Sequence, residues 1–345
     1  MNMPPNTELC YAMKANSENL VLEHINKKGG SFEVASKYEL AMLKKINIPP
    51  RRITYGTSIK PIDHIKAFVK YGVDRFAFDS EQELEKLAKH APGSRVYVRT
   101  LVDDRSDSVF HMSLKFGVKP INVVDLLIKA KEMGLQPYGI SFNVGSQARN
   151  VASWARGIND VAKIMENLLE RGIKIACINI GGGFPVNYDQ NDKFPTVKKI
   201  GEEISQALKN VPYKVNIIAE PGRAVVADSF LLVSSVIEKN TRSNGTWLYI
   251  DAGIYNALYE AVAVQGSTKY KIAPISNLNH KRKYKNYILT GPTGDNIDVI
   301  NPSVSLPENI KPGDKLAIYN VGAYTFPLTT RFNGFPKPLI KVLDH

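Results

Sequence analysis

Over roughly the first two thirds of the chain, short apolar runs alternate with stretches in which apolar residues recur every three or four positions. The runs at 10–13, 31–34, 53–55, 75–78, 96–100, 138–142, 175–180 and 215–219 predict β-strands. The periodic stretches at 18–28, 37–46, 62–71, 80–90, 123–133, 153–171 and 197–209 predict amphipathic helices. Eight strands, each adjoining a helix, predict an α/β fold: a (β/α)8 barrel over residues 1–229. After Ser229 the pattern changes. Segments 230–239, 245–251, 269–275, 285–290, 315–319 and 339–343 predict strands joined by Gly, Pro and Asn turns, with almost no helical periodicity. This predicts a separate C-terminal β domain over 230–345. The first barrel strand starts within about ten residues of Met1, so little chain precedes it that could lend the β domain a further strand. No internal repeat or low-complexity tract interrupts either part.

Composition changes this picture little. Of 345 residues, 43% are hydrophobic and 23% charged, as in ordinary globular domains. No run of about 18 apolar residues predicts a membrane span, and no basic, then apolar, leader opens the sequence. Cys10 and Cys177 both fall inside apolar runs, which predicts reduced thiols in a cytoplasmic protein rather than a disulfide framework. No metal-ligand set stands out. The net charge of +12, from 45 Lys and Arg against 33 Asp and Glu, is compatible with nucleic acid, an anionic substrate or an acidic partner. The basic residues are dispersed, and the densest cluster, at 280–285, reads as a solvated hairpin. The expectation is a generally basic surface with no dedicated nucleic-acid site.

Candidate chemistry gathers where predicted strands end. Tyr11-Ala-Met-Lys14-Ala-Asn16 closes the first strand. Catalytic residues of α/β barrels sit at such strand ends, and a lysine desolvated there can form a Schiff base; a solvated lysine is the plainer alternative. Gly181-Gly182-Gly183-Phe-Pro follows another strand and offers bare backbone N–H groups to a phosphate, or simply makes a tight turn. In Ala-Glu220-Pro-Gly222-Arg223, the Arg and the Gly amide suit a phosphate, while Glu220 suits a protonated ring nitrogen; a surface ion pair is the alternative. Gly291-Pro-Thr-Gly294-Asp295-Asn-Ile-Asp298 reads either as turn chemistry or as an acid, Asp295, for a cationic substrate group. Gly322-Ala-Tyr324 and Phe332-Asn-Gly-Phe335 set aromatics beside glycines; Tyr324 could bond a phosphate or simply pack.

Taken in this order, the five segments resemble the fold type III pyridoxal-phosphate decarboxylases of ornithine, lysine, arginine and diaminopimelate, with alanine racemase a more distant relative. The resemblance runs from Tyr11 to Phe335 and is closest to the ornithine/lysine branch. It implies an alanine-racemase-like barrel with pyridoxal 5'-phosphate bound to Lys14. Glu220 would keep the pyridine nitrogen protonated. Ser146, Gly181, Gly182, Gly183, Gly222, Arg223 and Tyr324 would hold the phosphate, and Glu33, Glu39 and Arg99 match positions lining the pocket. Asp295 matches an acid that reaches the substrate's distal amine from the neighbouring subunit, which implies a homodimer with shared active sites.

Two departures stand out. The family's Phe-His-Val-Gly-Ser, whose His stacks on the cofactor ring, is here Phe142-Asn143-Val-Gly-Ser146. The family's Gly-Pro-Thr-Cys-Asp, whose Cys serves protonation of the substrate carbon, has Gly294 instead. A third, smaller difference is Asp251-Ala252-Gly253, with Ala where eukaryotic ornithine decarboxylases carry an acid before the Gly. The resemblance implies decarboxylation of a basic L-amino acid, or of a side-chain-modified diamino acid such as a siderophore precursor, to CO2 and an amine. The departures leave two alternatives: a non-catalytic, antizyme-inhibitor-like homologue that binds a protein, or decarboxylation coupled to transamination or oxidation.

Overall fold

A computed structural model describes residues 3–102, 107–189, 193–263, 270–275 and 283–343. The chain divides into two compact units, Met1–Pro185 with Phe194–Ala224, and Val186–Lys193 with Val225–His345.

The first unit carries strands β1 (Thr7–Ala12), β2 (Ser31–Val34), β3 (Ile53–Tyr55), β4 (Arg75–Phe78), β5 (Arg95–Arg99), β6 (Ser108–Phe110), β7 (Gln136–Ser141), β8 (Ser146–Ala148), β9 (Cys177–Asn179) and β10 (Asn216–Ala219). Eight of them close a barrel in the order β1-β10-β9-β7-β5-β4-β3-β2, with parallel neighbours throughout. The remaining two, β6 and β8, pair as an antiparallel ribbon that the sequence pattern did not predict. Strands such as β2 and β4 are buried at every position, because a parallel barrel covers both faces of each strand. Helices α1 (Asn19–Lys27), α2 (Lys37–Lys45), α3 (Ile62–Tyr71), α4 (Glu81–His90), α5 (Val123–Glu132), α6 (Ala152–Glu170) and α7 (Val197–Ala207) alternate with them. Ser36, Ser80 and Thr196 cap α2, α4 and α7 by accepting backbone N–H bonds from Glu39, Glu83 and Lys199. Toward the strand N-termini, the Arg75 guanidinium makes two bonds to Glu8, at 2.7 and 3.0 Å, and a third to the Arg51 carbonyl.

In the second unit β11 (Leu231–Arg242), β12 (Gly245–Ile250), β13 (Ile272–Pro274), β14 (Tyr284–Thr290), β15 (Val299–Pro307) and β16 (Lys315–Tyr319) form one sheet, ordered β13-β16-β11-β12-β14-β15. Its core includes Leu248, Ile250, Tyr287, Leu289, Leu306, Leu316 and Ile318. Strand β15 escaped prediction, since Pro302 and Pro307 read as turn residues. Conversely, the predicted strand at 339–343 does not form: that segment is irregular, with Leu339, Val342 and Leu343 largely exposed and without a sheet neighbour among the described residues. Residues 280–282 of the basic cluster and Lys269 of the predicted strand at 269–275 lie outside the described residues. No helix among the described residues is long and apolar enough to cross a membrane.

Candidate active site

The strand order decides which residues can meet. Lys14 lies on the 3-10 turn Met13–Ala15 directly after β1. Glu220 follows the neighbouring β10, the triple Gly follows β9, Asn143 and Ser146 follow β7, and Arg99 ends β5. Glu33 stands on β2, the other neighbour of β1. One consecutive arc of the barrel therefore brings its C-terminal strand ends together with every barrel residue picked out from the sequence except Glu39, which sits on α2.

Two contacts fasten the Lys14 turn to the Glu220 turn. The Ala12 N–H donates to the Pro221 carbonyl at 3.1 Å. A Cβ on Gly222 would meet the Ala15 Cβ at 2.9 Å, so glycine permits this close approach. Lys14 Nζ lies 3.9 Å from Glu33 Oε2; its side chain is 48% exposed, whereas that of Glu33 is 5% exposed. The lysine is thus anchored at its base, with its side chain half-exposed.

Glu220 is partly buried as a residue. Loss of water raises its pKa to about 7, and the nearby Glu33 charge adds to that; a hydrogen bond from Asn179 and the charges of Lys14 and Arg99 pull the other way. Glu39 is also pushed up to about 7, chiefly by burial, although the Ala35 N–H bonds its Oε2 at 2.6 Å. That bond turns Glu39 toward the start of α2. It remains within electrostatic reach of Glu33 and Lys14.

The glycine loop is packed from both sides. Gly181 (φ 65°) and Gly183 (φ 92°) are left-handed, and a Cβ on Gly182 would meet the Glu220 carbonyl at 2.8 Å. Arg223 is buried, with its guanidinium 5.5 Å from the Phe110 ring centre, and Phe110 pairs with Ser146 across the β6–β8 ribbon. Arg99 donates to the Met112 carbonyl at 3.1 Å. Asn143 does not present a free amide: its Oδ1 accepts the Gly145 N–H at 2.9 Å, which holds the turn leading to Ser146.

The β domain contributes a separate cluster. Asp295 accepts the Tyr255 hydroxyl at 2.7 Å and the Ile297 N–H at 3.0 Å. These bonds hold the carboxyl below its usual range, while the Asp295 partner pushes the Tyr255 phenol up to about 12. The Tyr255 ring lies 4.4 Å from that of Phe332. Gly294 is exposed, and no atom lies within 4 Å of where its Cβ would be. Asp298 is buried and does structural work, accepting from the Ile254 N–H, the Thr293 N–H and the Thr293 hydroxyl. Tyr324 is left-handed, at φ 54°, directly after Gly322-Ala323.

Sequence reasoning passed over Asn179 and Tyr255. Each carried a signal: Asn179 is a polar residue ending an apolar strand two positions before the triple Gly, and Tyr255 follows Asp-Ala-Gly in a turn.

The barrel with a β domain, carrying a half-exposed lysine, a carboxylate with its pKa pushed up to about 7 and a glycine cradle along one arc, defines an alanine-racemase-like pyridoxal-phosphate protein. Comparison with known families narrows this. Residues 1–227 match the family model "Pyridoxal-dependent decarboxylase, pyridoxal binding domain". Ornithine decarboxylase of Rattus norvegicus is 33% identical, and Antizyme inhibitor 2 of Xenopus laevis 32%; each alignment spans 96% of this chain and 74% of the relative. The solved lysine/ornithine decarboxylase of Vibrio vulnificus, complexed with cadaverine, superposes with a TM-score of 0.87 at 30% identity, covering 97% of this chain and 88% of that one. The chain belongs to the pyridoxal-dependent decarboxylases, a family of pyridoxal-phosphate lyases, on its ornithine/lysine side. The residues present fit the cofactor. The Gly182 and Gly183 N–H groups, where side chains cannot sit, suit its phosphate, the Glu220 carboxylate suits its ring nitrogen, and the half-exposed Lys14 side chain suits its aldehyde.

Proposed function

We propose that this protein decarboxylates a basic L-amino acid of the ornithine or lysine type, or a side-chain-modified diamino acid, releasing CO2 and an amine. The observation carrying this reading is the fastening of the Lys14 turn to the Glu220 turn, through Ala12 to Pro221 and Gly222 against Ala15. Pyridoxal phosphate, when bound, supplies an electron sink for the bonding pair released as CO2 leaves. In this reading Lys14 anchors the aldehyde through its amine, and Glu220 holds a proton at the ring nitrogen. Gly182, Gly183, Ser146, Gly222 and Arg223 bind the phosphate, with Gly181, whose N–H Asn179 already accepts, shaping the loop and Arg99 adding positive charge at the strand ends. Asp295, kept anionic by Tyr255 and Ile297, binds the distal ammonium in the site of a neighbouring copy, which makes the working unit a homodimer. Gly294 has no proton to give, so Lys14 or a water molecule delivers it to the substrate carbon. Two buried, free cysteines agree with a cytoplasmic setting.

The test is product mass spectrometry on ornithine, lysine, arginine, diaminopimelate and acylated diamino acids. A single amine accompanied by CO2 supports the reading. An aldehyde or ketone co-product instead points to coupled transamination or oxidation, the outcome that an absent thiol at Gly294 would favour. A second reading, a non-catalytic protein-binding homologue, draws on the likeness to Antizyme inhibitor 2 and on Asn143 and Gly294. A yellow protein that borohydride bleaches, with the label lost in Lys14→Ala, argues against it; a colourless protein that turns over none of the panel argues for it.

A further inference from the structure

We propose that Asn179 is a positioning residue that favours the anionic form of Glu220 and ties that carboxylate to the glycine loop. The functional weight of this rests on the reading of Glu220 as the partner of the cofactor ring; the physical claim does not.

Asn179 closes β9 and is 1% exposed. Its Oδ1 accepts the Gly181 N–H at 2.9 Å, and its Nδ2 donates to Glu220 Oε1 at 2.6 Å. The Glu220 N–H in turn donates to the Gly181 carbonyl at 2.8 Å. Three hydrogen bonds thus form a closed ring through Asn179, Gly181 and Glu220, joining the ends of β9 and β10. A backbone N–H can only donate, so the amide oxygen must face Gly181. That leaves the amide NH2, which only donates, to face Glu220, and a pure donor favours the carboxylate over the carboxylic acid.

The other groups acting on Glu220 come from several elements. Glu33 on β2 opposes its ionisation, while Lys14 after β1 and Arg99 at the end of β5 favour it. Tyr97 on β5, Cys10 on β1 and Cys177 on β9 stay neutral, and the Glu220 charge helps to keep them so. Lys14 is the group that the proposed chemistry takes out of the balance, since its amine is consumed in holding the aldehyde. An amide cannot titrate and is not consumed, so its support for the Glu220 anion persists.

An aspartate at 179 could keep the Gly181 bond with one oxygen but would aim its second oxygen at Glu220 Oε1. Two carboxylate oxygens that close require a shared proton. Leucine at 179 would remove the donor without adding charge.

The experiment follows the Glu220 carboxyl by infrared difference spectroscopy in the full-length protein freed of cofactor, titrated with acid. The band is assigned by its loss in Glu220→Gln. In Asn179→Leu the Glu220 midpoint should rise by about one pH unit or more, the loss of a hydrogen bond to a charged group. In Asn179→Asp it should rise further through the added charge, and if the Leu variant fails to fold, Asn179→Ala, which removes the donor and adds no charge, takes its place. A Glu220 midpoint unchanged from wild type in the variants that fold overturns the proposal. No cofactor enters this measurement. Raised midpoints in a protein that takes no borohydride-fixed pyridoxal phosphate on Lys14 would therefore leave the Asn179 role standing while the functional reading fails.

Discussion

The two acids assigned to substrate and cofactor stand in opposite surroundings. Glu220, at the end of a barrel strand, is partly desolvated beside Glu33 and has a pKa of about 7. Asp295, on a turn of the β domain, accepts from Tyr255 and Ile297 and is held below the usual carboxylate range. The chemistry of the group is the same in both. Desolvation and a like charge make Glu220 a site where a proton is nearly in balance, suited to sharing one with a ring nitrogen. Donors and solvent make Asp295 a fixed negative charge, suited to an ammonium. The proton-sharing role cannot be filled by an exposed turn, and the charge-binding role needs no burial.

Breaking Glu220 should cost the most. Glu220→Gln removes the ionisable group and should lower kcat by roughly 10²–10⁴-fold, the range of a positioned proton-handling side chain. Asp295→Asn should leave kcat within a few-fold and raise KM about tenfold for substrates with a free distal amine. Steady-state kinetics on both variants with one diamino acid checks the ranking. A larger loss of kcat at Asp295 than at Glu220 would undo the contrast.

The same contrast shows in stability against pH. Glu220 and Glu39 hold their protons more tightly folded than unfolded, because folding raises each from 4.5 to about 7. An acid with a raised folded pKa gives stability that is present below the unfolded value and is lost as the unfolded chain releases protons that the folded one keeps. Between about pH 4.5 and 7 these two groups should therefore lower the Tm of the cofactor-free protein as pH rises. Glu39→Gln and Glu220→Gln should each flatten that slope in calorimetric scans. Asp295 has the opposite sign, adding a little stability that is lost as pH falls below 4. A smaller sharpening comes from Tyr255→Phe, which removes one donor to Asp295. KM for a free diamino acid should change by a few-fold and that for a side-chain-acylated one should not; equal changes would mean that the tyrosine acts on something other than the Asp295 charge.

How far the sequence revealed all this depended on what kind of signal each part emits. Barrel strands and helices were legible to within one to three residues at their ends, since buried β-strands and amphipathic helices alternate with clear turns; 62–71 matches α3 end to end, and 315–319 in the β domain matches β16. Strand β15 was hidden by its prolines, and Leu339-Ile-Lys-Val-Leu343 misled because apolar residues alone do not supply a strand partner. The lysine, the triple Gly and the Glu220 turn were visible because their residue types are unusual at strand ends. Asn179 gave only a weak signal, a polar residue ending an apolar strand, because its importance comes from the β9–β10 neighbour relation, which is a property of the closed barrel.

The smallest predicted effect concerns Asn143, where the family resemblance implies a ring-stacking histidine. Asn143 already has work, accepting the Gly145 N–H that holds the turn into Ser146. Asn143→His therefore loses that bond, about 1 kcal/mol, while stacking would return about 1 kcal/mol. Against wild type the two nearly cancel, and the single variant would say little. Asn143→Ala loses the same turn bond without gaining a ring, so the His variant compared with the Ala variant isolates stacking. Pyridoxal phosphate should leave the His variant about five times more slowly than the Ala variant on dialysis, the rate equivalent of about 1 kcal/mol. Equal rates of loss would mean that the side chain at 143 acts only through the loop, and that stacking is not what the asparagine has given up.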